Sequence, residues 1–158
     1  FAPRGKERMY LSVFSARLKD LMVSEGVSRH KLSAETGVQR KSIANWLDGL
    51  NFPRYDALIN VADYFKVSTD YLVGLCDIMR EKVELRCPIA EVRPRLIAKL
   101  GAFMAEKGMT KYRLAKELNV EQSTLERWFK AGAMPEVLGL IRLTKLMGES
   151  LDSLLGRE

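Results

Sequence analysis

Slid along itself, the chain makes one decisive match: at an offset of 82, residues 14–75 align on 96–157 without a gap. Fifteen of these 62 positions are identical, among them Leu18/Leu100, Gly26/Gly108, Leu32/Leu114, Trp46/Trp128, Pro53/Pro135, Asp70/Asp152 and Gly74/Gly156. The identities gather at apolar, glycine and proline positions, which set a core and its turns, so the halves share a fold and differ on their surfaces. A length of 158 residues then means two small domains rather than one medium one.

Periodicity gives each half five short helices. Phe14, Leu18, Leu21 and Met22 fall on one helical face behind Ser12, an N-cap residue type, which predicts helix 1 over 13–24. Its copy carries Leu96, Leu100, Phe103 and Met104, with Pro94 in the first turn, where a missing N–H costs nothing. Ser28 and Thr110 cap a second helix, and Gly37 or Asn119 supplies the left-handed residue of a tight turn. Helix 3 follows with Ile43 and Trp46, or Leu125 and Trp128, and stops before Gly49 or Gly132 and the next proline. Helix 4 holds Leu58, Ile59, Ala62 and Phe65, and helix 5 starts at Ser68 or Ser150. The tryptophans, three residues after Ile43 and Leu125, read as core anchors rather than base-stacking platforms.

Composition removes several function classes. One histidine, His30, and two cysteines, Cys76 and Cys87, are too few soft ligands for a zinc site, so no metal and no cofactor are expected. The cysteines read as free thiols in a reducing compartment. No Ser, Cys or carboxylate motif supports His30 as a catalytic base, so no enzyme is expected. No stretch approaches 18 apolar residues and FAPRGKERMY lacks the apolar core of a signal peptide, which reads as a cytoplasmic protein with no membrane partner. Residues 1–8 read as a disordered start, a tag remnant or an arm. The 26 Lys and Arg against 20 Asp and Glu, a net +6, favour a polyanion partner.

Two short helices joined by a three- or four-residue turn, the second anchored by apolar residues, have the geometry of a helix-turn-helix. The segments VSRHKLSAETGVQRKSIANWLDGLNFP with ALINVADYFKVSTDYLVGL, and MTKYRLAKELNVEQSTLERWFKAGAMP with LGLIRLTKLMGESLDSLLG, resemble the lambda-repressor-like, Xre-type DNA-binding family. The resemblance covers about 125 residues, and turn, tryptophan, proline and the S-x-D-x-L close recur in both copies. It implies an all-α chain of two tandem five-helix lambda-repressor-like domains, 11–75 and 93–158, joined by a short linker, 76–92.

In that family the front of helix 3 reaches base edges, while the start of helix 2 and the end of helix 3 hold phosphates. Carried over by position, Arg40, Lys41 and Asn45 read bases in the first domain, with Arg29, Gln39 and Ser42 near phosphate. Gln122, Ser123 and Arg127 read bases in the second, with Lys111, Lys130 and Thr124 near phosphate. Arg and Lys suit guanine O6 and N7, and Asn suits adenine. Where the family often has Gln near the start of helix 2, this chain has Arg29 and Lys111, a charge-assisted contact in place of an amide. Glu121 and Glu126 on the second recognition helix repel phosphate. Charge points the other way: residues 11–75 carry 8 basic and 7 acidic side chains (+1), and 93–158 carry 12 and 8 (+4).

The expected function is that of a sequence-specific regulator of transcription, a repressor by family weight, whose partner is a double-stranded DNA operator with two unlike halves. The alternative is a protein-interaction module that contacts a protein antagonist, a regulator or a polymerase subunit, since a fold does not fix a function. In the linker, Val83, Leu85, Cys87 and Ile89 alternate as a half-buried strand would. Residues 82–89 then pack on the flanking modules, pair with the same segment of a second chain as a homodimer, or form an extended tether. Seventeen extended residues reach at most about 60 Å, more than the roughly 34–36 Å between successive major-groove faces.

Overall fold

The apolar stripe of the first helix reaches a turn further back than Phe14. Tyr10, Phe14, Leu18, Leu21 and Met22 are all buried, and this spacing carries the helix toward the N-terminus. The structure, a computed structural model, describes residues 3–79 and 83–158. In it α1 spans Arg8–Glu25, so the start expected at 13 is corrected: Ser12 caps nothing and lies exposed inside the helix. A 3-10 turn, Gly5–Glu7, leads in, with the Glu7 carboxylate accepting from the Arg4 backbone N–H at 2.6 Å. Arg4, Lys6 and Arg8 thus belong to or adjoin helical structure, and Phe1 and Ala2 lie outside the described residues.

Four more helices follow: α2 (Arg29–Thr36), α3 (Arg40–Leu47), α4 (Tyr55–Phe65) and α5 (Thr69–Val73). The second series is α6 (Ile89–Lys107), α7 (Lys111–Leu118), α8 (Gln122–Lys130), α9 (Val137–Met147) and α10 (Leu151–Leu154). The starts of α2 to α5 recur in α7 to α10 at the same offset of 82, and Ser28, Ser68, Thr110 and Ser150 each cap their helix by accepting a backbone N–H. The cores correspond as well. Phe14, Leu18, Leu32, Ile43, Leu58 and Leu72 are buried in one series, and Leu96, Leu100, Leu114, Leu125, Leu140 and Leu154 in the other. The chain divides into two compact units between Glu84 and Leu85. Among the described residues there is no strand beyond one isolated bridge, and no helix long and apolar enough to cross a membrane.

Two further expectations are corrected at the junction. Helix α6 begins at Ile89 because Val92, the counterpart of Tyr10, is buried in line with Leu96 and Leu100. Pro94 is therefore the sixth helical residue, where its missing N–H removes a bond to the Ala90 carbonyl rather than costing nothing. The linker loses residues 89–92 to this helix, and Ile89 is helical rather than extended. What remains of the strand is one antiparallel bridge between Leu85 and Arg157, with the Arg86 N–H donating to the Gly156 carbonyl at 2.8 Å. Leu85 and Arg86 thus pair with the end of their own unit, and Lys82 lies outside the described residues.

That contact depends on Gly156. Its φ is +75°, and a Cβ there would stand 3.1 Å from the Cys87 sulfur, so glycine serves both the left-handed backbone and the close approach. Arg157 follows with its guanidinium buried against Asp152 at 2.5 Å. On the other side of the junction Arg17 of α1 donates to the carbonyls of Tyr71 and Cys76 and pairs with Asp77 at 3.0 Å, fixing the chain where it leaves α5.

Candidate nucleic-acid interface

In both units the rear of the third helix is fastened to the first, and this determines what its front can present. Ile43 and Trp46 are buried behind α3, and Phe14 of α1 meets the Trp46 ring edge-on with centroids 6.2 Å apart. Leu125 and Trp128 are buried behind α8. The carbonyl of each tryptophan is satisfied from the first helix by different chemistry. Ser15 Oγ donates to Trp46 O, whereas the Arg93 guanidinium donates to Trp128 O and, at 2.9 Å, to Ala133 O. The turns between the second and third helices are made by Gly37 (φ +77°) and Asn119 (φ +53°), the residues expected there.

The front of α3 is open. Arg29 at the start of α2, Gln39 before α3, and Arg40 and Lys41 at its start are all exposed, and Ser42 and Asn45 are half-buried. No salt bridge engages Arg29, Arg40 or Lys41 among the described residues, so three cations stand free on the starts of adjacent helices. Beside them lies a cleft of about 470 Å³. Gln39 lines it from the cap of α3, Ser42 and Asn45 from α3 itself, Asn51 and Arg54 from the following turn, and Asp56 and Asn60 from α4. The α4 side of this cleft went unnoticed in the sequence, where PRYDALIN signals only the start of a helix.

The second unit arranges the same positions differently. Gln122, Ser123, Arg127 and Lys130 are exposed, and Lys111 and Thr124 are half-buried. Arg127 donates to Thr124 Oγ1 at 3.3 Å, and Ser123 Oγ donates to the Glu121 carboxylate at 3.4 Å. Glu126 lies between the two lysines assigned to phosphate. Its Oε1 is 3.2 Å from Lys111 Nζ and its Oε2 is 2.9 Å from Lys130 Nζ. Hydrogen bonds from Lys130 and then Lys111 hold the Glu126 carboxyl below the usual carboxylate range, and Glu126 raises Lys130 in return. Lys111 also sits over the Phe129 ring, 5.1 Å from its centroid.

Compared with protein-family models, with curated proteins and with solved structures, the chain has no match in any of the three.

The second unit carries different residues at positions that line the α3 cleft in the first. Where the first has Asn60 and Asp56 the second has Arg142 and Leu138, and Arg142, 3% exposed, donates to the Leu118 carbonyl at 2.9 Å. Leu118 is the counterpart of Thr36, which lines the first unit's cleft. The six residues expected on the first unit's front lie at the start of α2 and on or just before α3. In the second unit Glu126 ties up Lys111 and Lys130, which sequence reasoning missed. The spacing of Glu126 and Lys130, four apart on a helix, is a signal for that half of the arrangement.

Proposed function

We propose that the chain binds double-stranded DNA sequence-specifically, with α3 of the first unit as the main reader, and acts as a regulator of transcription, a repressor by its resemblance to the lambda-repressor-like family. The observation that carries this reading is the free, exposed trio Arg29, Arg40 and Lys41 at the starts of α2 and α3, helices anchored from behind by Leu32 and by Ile43 and Trp46. In a major groove Arg40 and Lys41 would take guanine O6 and N7, and Asn45 an adenine edge, each good pair contributing about 1–3 kcal/mol of discrimination. Arg29 would hold a phosphate from the start of α2, where the helix dipole adds to its charge. Arg54, just before α4, and Asn60 within it line the same cleft as Asn45 and would give the backbone of the same duplex a polar seat. The place of action proposed is the cytoplasm.

The neutralised front of the second unit favours a second reading for that unit alone. Gln122, Ser123 and Arg127 remain available to bases, but with Lys111 and Lys130 held by Glu126 its grip on phosphate is weak, and the surface suits a protein contact as well.

Selection of the intact chain from a randomised duplex pool, followed by a salt titration on the enriched site, tests the proposal. An enriched sequence with a log-log slope of several units is expected, because each neutralised phosphate contributes about −0.9. Arg40→Ala with Lys41→Ala is expected to abolish the preference. No enrichment, or a preference that survives the double substitution, would overturn the assignment.

A further inference from the structure

The Lys111–Glu126–Lys130 cluster contributes little to holding the fold. All three side chains are two-fifths or more exposed, and ion pairs in that setting are worth little to stability. What the cluster does change is the electrostatic face of α8. Each lysine takes a separate oxygen of Glu126, as two cations gripping one phosphate would take separate oxygens. One lysine begins α7 and the other ends α8, so the carboxylate spans the front of the helix pair. In the first unit the position of Glu126 is Ala44, and Arg29, the counterpart of Lys111, has no carboxylate facing it among the described residues.

We propose that Glu126 is a built-in counter-anion that holds Lys111 and Lys130 off phosphate, so that it limits the affinity of the second unit for nucleic acid. The inference rests on the DNA-binding reading and adds to it a residue that apportions binding between the units. Because the pairs are exposed, a duplex can displace the carboxylate, but the displaced charge then stays within a few ångströms of the phosphate it has yielded to and opposes it. A neutral side chain of the same shape removes that opposition and frees two cations at once.

The test uses the full chain and a random-sequence duplex of about 30 base pairs, comparing the unaltered protein with Glu126→Gln and with Glu106→Gln. The latter is a control of equal charge change at an exposed position of α6. Glu126→Gln is expected to tighten binding roughly ten-fold near 0.1 M salt and to steepen the log-log salt slope by about one to two, one for each additional phosphate neutralised. The control should shift affinity less than about two-fold. Adding Lys111→Gln and Lys130→Gln to the Glu126→Gln protein should return it to the starting affinity, and circular dichroism confirms that each variant is folded. If Glu126→Gln behaves like Glu106→Gln while the unaltered protein binds, the inference fails and the DNA-binding reading stands. A gain in Glu126→Gln, over a parent for which the duplex selection enriched no site, supports the inference and overturns the assignment of the first unit as reader. If no variant binds duplex, both fail.

Discussion

The two units are built from the same helices at the same spacing, yet they handle positive charge in opposite ways. By count the second is the more basic, +4 over residues 93–158 against +1 over 11–75. By geometry the first is the more available to a polyanion. Arg93, Arg142 and Arg157 of the second unit are spent on carbonyls and on Asp152 inside the fold. Lys99 pairs with Glu149 at 2.7 Å, and Lys111 and Lys130 share Glu126. The first unit leaves Arg29, Arg40 and Lys41 exposed at helix starts. Net charge therefore measures a supply of cations, and their placement decides what the surface can attract.

The strongest way to break the comparison is to remove its common anchor. The chain has two tryptophans, one behind each third helix, 3% and 2% exposed. Trp46→Ala or Trp128→Ala should each cost the unit that carries it about 3–5 kcal/mol. In Trp46→Ala, helical circular dichroism should begin to fall in urea before the fluorescence of Trp128 changes, since that fluorophore reports only its own core. A single coincident transition would mean that the units unfold together.

A comparable loss is expected from Arg157→Leu, which places at the end of the second unit the residue that the first has at Leu75. Asp152 would be left buried without its guanidinium, a change that typically costs about 3–5 kcal/mol when one partner of a buried pair is removed. Urea denaturation followed by Trp128 fluorescence would read it, and an unchanged midpoint would show that Leu suffices at both ends.

Smaller effects distinguish the two ways of satisfying the tryptophan carbonyl. Ser15→Ala removes one donor to the Trp46 carbonyl, which keeps the Gly49 N–H at 3.1 Å, and should cost about 0.5–1.5 kcal/mol. Arg93→Ala removes a side-chain donor from two carbonyls, those of Trp128 and Ala133, and should cost the second unit more than Ser15→Ala costs the first. Equal shifts in urea midpoint would make the choice of donor immaterial.

The smallest effect expected is a titration. Because Lys130 and Lys111 lower the Glu126 carboxyl, the bonds among the three are fully present above the ordinary carboxylate range and are lost as pH falls through the depressed value of the folded state. Carbon NMR of the glutamate carboxyls should find Glu126 titrating below the usual value of about 4.3, and moving back toward it in Lys130→Gln.

Much of the architecture was legible in the sequence. The repeat, the caps at Ser28, Thr110, Ser68 and Ser150, the left-handed residues Gly37 and Asn119 and the burial of both tryptophans follow from local patterns that tertiary packing did not override. The first helices began earlier than expected because Tyr10 and Val92 extend the stripe beyond what Ser12 and Pro94 signal as helix starts. The candidate site was legible in outline only. Which residues stand at the front of α3 and α8 follows from register. Whether they are free does not, because Lys111 and Glu126 are fifteen residues apart across a turn and Arg142 reaches back twenty-four to Leu118.

The anchoring of the chain on both sides of the junction limits what one molecule can span. Arg17 fixes Asp77, and Leu85 is bridged to Arg157, so the seven residues 78–84 are all that lie between the two attachments. Eight Cα steps extend to at most about 29 Å, half the reach of the seventeen-residue linker. On the proposed DNA-binding function, a tether this short narrows the range of half-site spacings that one chain can meet, and widely separated half-sites would call for a second molecule.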